Sequence, residues 1–223
     1  MQKYIRTILL TISLLFVLCS CSNSDASVFD KYTEYEHINI QSGGTVVVQY
    51  ATITSFEDLE RAYINGKSRS VIMRVKTSEK TVDIATPNNV VTRCPYGTMI
   101  NATVTEIYYC SDDMTDALNT GDEIWLFQNY FADATHRLIF SCNSYPYALL
   151  ILPNQDYLLF ASQTTITGST DYENKLIFSS LREGTIPIDL DFDQYYNILL
   201  KNKFEDCSEY KSIWQSAIDK YIK

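Results

Sequence analysis

The segment TMINATVTEIYYC, residues 98–110, alternates apolar and polar side chains. Successive side chains of an extended chain point to opposite faces, so this pattern predicts a half-buried β-strand. Ile100, Ala102, Val104 and Tyr108 fall on one face, and Thr103, Thr105 and Ile107 on the other. A strand with one wet face must bury the other against something, and further strand-like segments supply it. SVIMRVKT from Ser70 is rich in β-branched residues, and KTVDIAT from Lys80 continues it across a turn. GDEIWLFQNYF from Gly121 reads as a turn feeding an aromatic-rich strand, and RLIFSC runs to Cys142. YALLILPNQDYLLFASQTTITG predicts a hairpin, with a strand to Leu152, a Pro-Asn-Gln-Asp turn, and a second strand from Tyr157 to Thr167. KLIFSSL from Lys175 and TIPIDLDF from Thr185 add two more strand candidates.

Two helices bracket these strands. SFEDLERAYINGK begins with a capping serine, Ser55, has Asp58 three residues on, and meets a stop at Gly66. SEYKSIWQSAIDKYIK at the end places Tyr210, Ile213, Trp214, Ala217 and Tyr221 at helical spacing. Five or more short strands between turn signals predict a mainly β fold, an antiparallel barrel with a short N-terminal and a C-terminal helix. There is no internal repeat and no low-complexity tract.

The amino terminus constrains location. Lys3 and Arg6 precede an apolar core from Ile8 to Leu18, broken only by Thr11 and Ser13, which is the build of a secretion signal. The core is short for a membrane-spanning helix. Leu18-Cys19-Ser20-Cys21 resembles the lipobox of bacterial lipoproteins, with Cys21 as the modified residue. That resemblance implies a thioether-linked diacylglycerol on the Cys21 thiol and, after cleavage, an acylated amine. Two or three acyl chains anchor persistently where one does not. Residues 1–20 are thus expected to be a signal peptide, 21–44 a polar tether, and 45–223 a single domain with a C-terminal helical extension. Ser22, Asn23, Ser24 and Asp25 resemble the signals that route some lipoproteins to the outer membrane of Gram-negative cells. The expected location is the bacterial cell envelope.

Removing 20 residues from 223 leaves 203, and removing Lys3 and Arg6 from 18 basic residues leaves 16 against 27 acidic ones, a formal charge of −11. Such a surface repels phosphate backbones and argues against a nucleic-acid partner. Besides Cys21, four cysteines remain: Cys94, Cys110, Cys142 and Cys207. In an oxidising compartment an even count predicts two disulfides, and spacing leaves all three connectivities open. With no CxxC pair, and with His37 and His136 far apart, neither a redox motif nor a zinc site is indicated. No metal or cofactor is expected.

Three pieces in order, a helix leading into SVIMRVKT, then ATVTEIYYCSDDMTDALNTGDEIWLF, then LPNQDYLLFAS, resemble a recurring bacterial secreted domain. The arrangement is similar to the OB-like barrel of netrin-type domains and tissue inhibitors of metalloproteinases, from about Ser55 to Gln163. The resemblance implies an OB-like barrel. In that family an unmodified N-terminal cysteine of a Cys-x-Cys motif reaches a protease zinc, and Cys19-Ser20-Cys21 has that spacing. Acylation at Cys21 would block the amine, so the inhibitory role does not transfer with the fold.

Chemistry-bearing clusters are few. Asp189, Asp191 and Asp193 open like a calcium loop, but Gln194 and Leu200 stand where the glycine and the bidentate glutamate belong. On a strand these aspartates form one solvated face. Asp112, Asp113 and Asp116 lack a partner base or nucleophile, and there is no GxSxG. Seventeen tyrosines stand out, one of them in the signal. Tyr108, Tyr109, Tyr130, Tyr145 and Tyr147 are candidate ligand contacts, since tyrosine gives rigid contact area to sugars and proteins. The expected function is a lipid-anchored, non-enzymatic binding module whose protein or glycan partner is not specified. A carboxylate-dependent enzyme acting on envelope glycans, or an inhibitor-like protein, is the alternative.

Overall fold

Ser55 holds an extended backbone and accepts the Asp58 amide hydrogen on its hydroxyl at 3.1 Å. Helix α1 (Phe56–Ile64) therefore begins where the capping serine predicts, and it ends at Asn65 with Leu59 and Tyr63 buried. A computed structural model describes this helix within residues 36–40, 53–65, 69–85, 96–128, 130–133, 138–142, 151–164, 175–199 and 208–223. All of these belong to one unit, Glu36–Lys223. The strands are β1 (Glu36–Ile40), β2 (Ser70–Ala85), β3 (Tyr96–Cys110), β4 (Glu123–Gln128), β5 (Tyr130–Asp133), β6 (Leu138–Cys142), β7 (Asp156–Thr164) and β8 (Ile177–Pro187). Two further helices follow, α2 (Phe192–Leu199) and α3 (Ser208–Tyr221).

Strands β2, β3, β4, β8 and β7 close into a barrel in that order. β7 returns to lie beside β2, so the first four barrel strands take the Greek-key order β7-β2-β3-β4. Four of the five contacts are antiparallel, but β4 and β8 run parallel, with Trp125 opposite Ile177 and Leu126 opposite Phe178. The purely antiparallel barrel expected from the sequence is thereby corrected. Strand direction cannot alternate all the way round a ring with an odd number of members, so five strands force one parallel pair. β1, β6 and β5 form a separate three-stranded sheet, parallel between β1 and β6 and antiparallel between β6 and β5. Strand β1 falls inside the 21–44 stretch.

The barrel interior is filled by Val71, Met73 and Val75 of β2, Ile100, Ala102 and Val104 of β3, Ile124 and Leu126 of β4, Tyr157, Leu159 and Ala161 of β7, and Phe178 of β8. Met114, Leu118 and Ile151 join the same core. The alternation in β3 holds to Val104 and then shifts. Val75 faces Val104 but Arg74 faces Glu106, and Met73 faces Ile107 while Ile72 faces Tyr109, so Thr105 and Tyr108 are bulge residues. Ile107 and Cys110 consequently pack against the core, and Tyr108 leaves the inward face assigned to it by simple alternation.

The expected 147–167 hairpin is also replaced. Both edges of β7 are occupied, by β2 and β8, so residues 151–152 cannot be its partner strand. They are instead clasped to the barrel end. The Thr77 hydroxyl donates to the Leu152 carbonyl at 2.7 Å, Gln155 donates its N–H to Thr77 Oγ1 at 2.9 Å, and Leu152 donates its N–H to the buried Tyr157 hydroxyl at 2.8 Å. KLIFSSL and the first part of TIPIDLDF merge into β8, where a large bulge faces Phe160. A side chain on Gly184 would come 2.8 Å from the Phe160 carbonyl, so glycine lets that bulge close.

The outer face of β7 is covered by helices. Phe160 stacks edge-on against Phe56, Tyr63 and Tyr221 at 6.3, 6.0 and 5.7 Å between ring centroids. Glu60 of α1 takes both the Lys220 ammonium and the Tyr221 hydroxyl of α3. At the other end of α3, Tyr210 donates its hydroxyl to the Thr185 carbonyl of β8, and Trp214 sits among Phe192, Tyr195 and Tyr210. Among the described residues no helix is long and apolar enough to cross a membrane.

Candidate functional site

The stretch EIWLFQ of β4 divides its side chains by the strand period. Ile124 and Leu126 enter the barrel core, which leaves Glu123, Trp125 and Phe127 on the outside. There Trp125 joins Met99 of β3 and Ile177 of β8 in a second small apolar cluster, with Val82 and Phe127 packed against it. The Trp125 N–H donates to the Leu176 carbonyl at 2.9 Å, which ties β4 to the start of β8.

A bulge in β2 brings a lysine to this tryptophan. Thr77 faces Ala102 and Thr81 faces Ile100, so Ser78, Glu79 and Lys80 together stand opposite Asn101. The bulge is fastened on both sides. The Ser78 hydroxyl donates to Asn101 Oδ1 at 3.2 Å, the Lys80 N–H donates to Ser78 Oγ at 3.1 Å, and Asn154 donates to the Glu79 carboxylate at 3.0 Å. Asn101 is itself buried and donates to the Ile124 carbonyl of β4. Bulges of this kind re-aim side chains. Here Lys80 reaches across β3 and sets its ammonium 5.2 Å from the Trp125 ring centroid. Lys175, just before β8, places its own ammonium 5.0 Å from the same ring.

Beside the ring lies a cleft of about 320 Å³ lined by Asp122, Glu123, Trp125, Lys175 and Leu176. Asp122 is held by the turn before β4. Its carboxylate accepts the Asn119 N–H at 2.7 Å, and Gly121 supplies the positive φ of 95° that the turn requires. Glu123 is exposed. The cleft therefore combines the edge of a largely buried indole, 7% exposed, with the Lys175 ammonium and two carboxylates that accept hydrogen bonds.

The candidate tyrosines do not converge there. Tyr108 donates its hydroxyl to Glu106 at 2.7 Å and lies 5.2 Å from the ring of Tyr221, against the C-terminal helix. Burial, with the Glu106 hydrogen bond and charge adding to it, pushes its phenol up to about 12. Tyr109 ties the end of α1 to β3 by donating to the Ile64 carbonyl at 3.0 Å. Tyr130 sits on β5 opposite Ser141. Tyr145 and Tyr147 lie outside the described residues, as does Cys21.

The acidic clusters turn out to be fasteners. Asp113 accepts from the Ser111 hydroxyl and the Arg69 N–H, which hold its carboxyl below the usual range and pin Arg69 at φ 54°. Asp189, Asp191 and Asp193 do not share a strand face, because β8 ends at Pro187. Asp189 accepts the Asp156 N–H, Asp191 caps α2 through the Asp193 N–H, and Asp193 pairs with Lys211. Among the described residues no group of three or more His, Cys, Asp and Glu is placed to hold a metal. Cys110 is a free thiol whose pKa is raised by burial and by the Asp113 charge, so the disulfide expected there is absent. Cys142 ends β6, and Cys94 and Cys207 lie outside the described residues.

Lys80, Trp125 and Lys175 were not among the sequence candidates. One signal was present, a tryptophan at a wet-face position of a strand whose alternate residues are Ile124 and Leu126. No protein-family model, no curated protein and no solved structure matches the chain.

Proposed function

We propose that this chain is a lipid-anchored protein of the bacterial cell envelope whose barrel is an OB-like, non-enzymatic binding module, with the Trp125 surface as its ligand face. The observation that carries the reading is the β2 bulge that delivers Lys80 to Trp125, because a core-packing role for Trp125 does not need a fastened three-residue bulge one strand away. The barrel order supports the OB-like part. In OB folds the second and third strands and the loops beside them hold oligomeric ligands. Here β3 and β4 are the second and third barrel strands, and Lys175 adjoins the connection between β7 and β8. The formal charge of −11 for the mature chain opposes a nucleic-acid ligand and favours an envelope glycan or a protein. The anchor rests on the Lys3 to Cys21 pattern, which would place the barrel on a membrane through the Cys21 acyl chains.

The cleft also sets Asp122 and Glu123 beside an aromatic wall, the arrangement a carboxylate-dependent glycan enzyme would use. Asp122 is committed to the Asn119 turn, which favours binding over catalysis. A panel of immobilised envelope polysaccharides and peptidoglycan fragments, probed with the wild type and with Trp125→Ala, tests the reading. It predicts retention of the wild type on at least one polymer and loss in the variant, with no polymer shortened. Equal retention of both proteins would contradict it, and chain cleavage abolished by Glu123→Gln would establish the enzyme instead.

A further inference from the structure

Resting on that reading, we infer that the segment 151–155 positions the Lys80–Trp125 pair, and that Asn154 is the residue through which it sets the lysine against the ring. The two members of the pair stand on β2 and β4, and this one short segment is bonded to both strands close to them. At its start, Ile151 donates its N–H to the buried Gln128 side chain at 2.8 Å, on the same strand as Trp125. At its end it grips the bulge of β2. Thr77 donates its N–H to the Gln155 carbonyl at 2.9 Å, and Asn154 donates its side-chain N–H to the Glu79 carboxylate at 3.0 Å, directly before Lys80. Regular pairing of β2 with β7 stops at Lys76 and Asp156, so these bonds carry the grip beyond the ladder and onto the bulge itself.

The bonds of this segment fall into two kinds. Thr77 and Gln155 are buried, and their contacts satisfy backbone groups that have no water to turn to, which is a structural task. Asn154 is exposed and holds a φ of 58°, in the left-handed region that asparagine tolerates. Its amide reaches out of its own turn to a residue of the bulge. A bond at an exposed site adds little to global stability, so its effect is local. Ser78 is held from the β3 side by Asn101, and Glu79 from the loop side by Asn154. The bulge is thus gripped from both sides just ahead of Lys80, whose ammonium ends 5.2 Å from the Trp125 centroid. Without the Asn154 contact only the β3 side remains, and the lysine loses its fixed approach to the ring.

The indole N–H resonance of Trp125 in the nitrogen-labelled full chain, assigned by its persistence in Trp214→Phe, reads the contact without any ligand. Lys80→Met should displace it. Asn154→Asp, which sets a carboxylate against Glu79, and Asn154→Gly, which keeps the positive φ and removes the amide, should displace it in the same direction at an unaltered melting temperature. Adding Glu79→Gln to Asn154→Asp exchanges donor and acceptor and should return the resonance to its place. In Lys80→Met, Asn154→Asp should cause no further displacement, because the residue acts through the lysine. A resonance indifferent to Asn154, or displaced equally with and without Lys80, would overturn the inference, and so would a lowered melting temperature with the resonance in place. If the resonance follows Asn154 while Trp125→Ala leaves retention on envelope polymers unchanged, the positioning stands and the binding reading falls. If Trp125→Ala abolishes retention and the resonance ignores Asn154, the binding reading stands and the positioning falls.

Discussion

Lys80 and Trp125 sit on strands that are not neighbours, yet the ammonium of one lies 5.2 Å from the ring centre of the other. The contact depends on the extra residues at Ser78, Glu79 and Lys80, because a regular ladder would leave β2 side chains beside those of β3 and short of β4. A local irregularity in hydrogen bonding thus becomes a charged rim around an aromatic surface.

That rim has a measurable field. With Trp214→Phe leaving Trp125 as the sole tryptophan, iodide should quench its fluorescence more strongly than caesium, because two ammonium groups attract the anion. Lys80→Met with Lys175→Met should reverse the order under the influence of Asp122 and Glu123. Raised salt should weaken both preferences.

Asn101→Ala removes the anchor of the bulge and leaves the Ile124 carbonyl without its side-chain donor. A buried polar group that loses its partner costs about 1–3 kcal/mol, so the urea midpoint should fall. Trp125 emission should change in the same variant as Lys80 moves.

Phe160 joins the outer face of the barrel to both α1 and α3. Phe160→Ala should cost about 3–5 kcal/mol in denaturant unfolding, in the range for large buried aromatics. Tyr221→Phe, which loses only the hydroxyl contact with Glu60, should cost about 1 kcal/mol.

Tyr108 and Tyr221 both have phenols raised by burial and, next, by hydrogen bonds to Glu106 and Glu60. The folded state therefore keeps these phenols neutral after the unfolded chain has begun to ionise near the ordinary value of 10. Their stabilising contribution is complete below that pH and is lost as pH rises through about 12 for Tyr108. Urea titrations from pH 9 upward should show falling stability, and Tyr108→Phe with Tyr221→Phe should flatten the slope.

Local signals were legible where local physics decides. The Ser55 cap, the apolar face of α3 from Tyr210 to Ala217, and the alternation of β3 as far as Val104 all appear in the structure. The pattern failed at Ile107 and Tyr108, where two bulges invert the faces. It failed again at residues 151–152, because the partners of β7 come from β2 and β8, and pairing with β2 is set by closure of the whole ring. Strand direction at β4 and β8 follows from the count of strands and not from any one of them. The Trp125 surface was hidden for a similar reason, since Lys80, Trp125 and Lys175 are distant in sequence and a bulge and a strand pairing bring them together.

The anchor has its own test. Intact mass of the mature N-terminal peptide from membranes should show a lipid-modified chain beginning at Cys21, and Cys21→Ala should abolish it. An unmodified peptide with a free amine would remove the anchor and return the inhibitor-like alternative.

The central claim is that ligand meets the barrel at Trp125, and the chain's two indole N–H resonances can report on it separately. Nitrogen-labelled protein would be titrated with a digest of envelope polysaccharide and with peptidoglycan fragments. The account predicts that the Trp125 resonance shifts and saturates while that of Trp214, enclosed by Phe192, Tyr195 and Tyr210, stays in place. A shift confined to Trp214, or backbone changes that leave the Trp125 surface untouched, would contradict it.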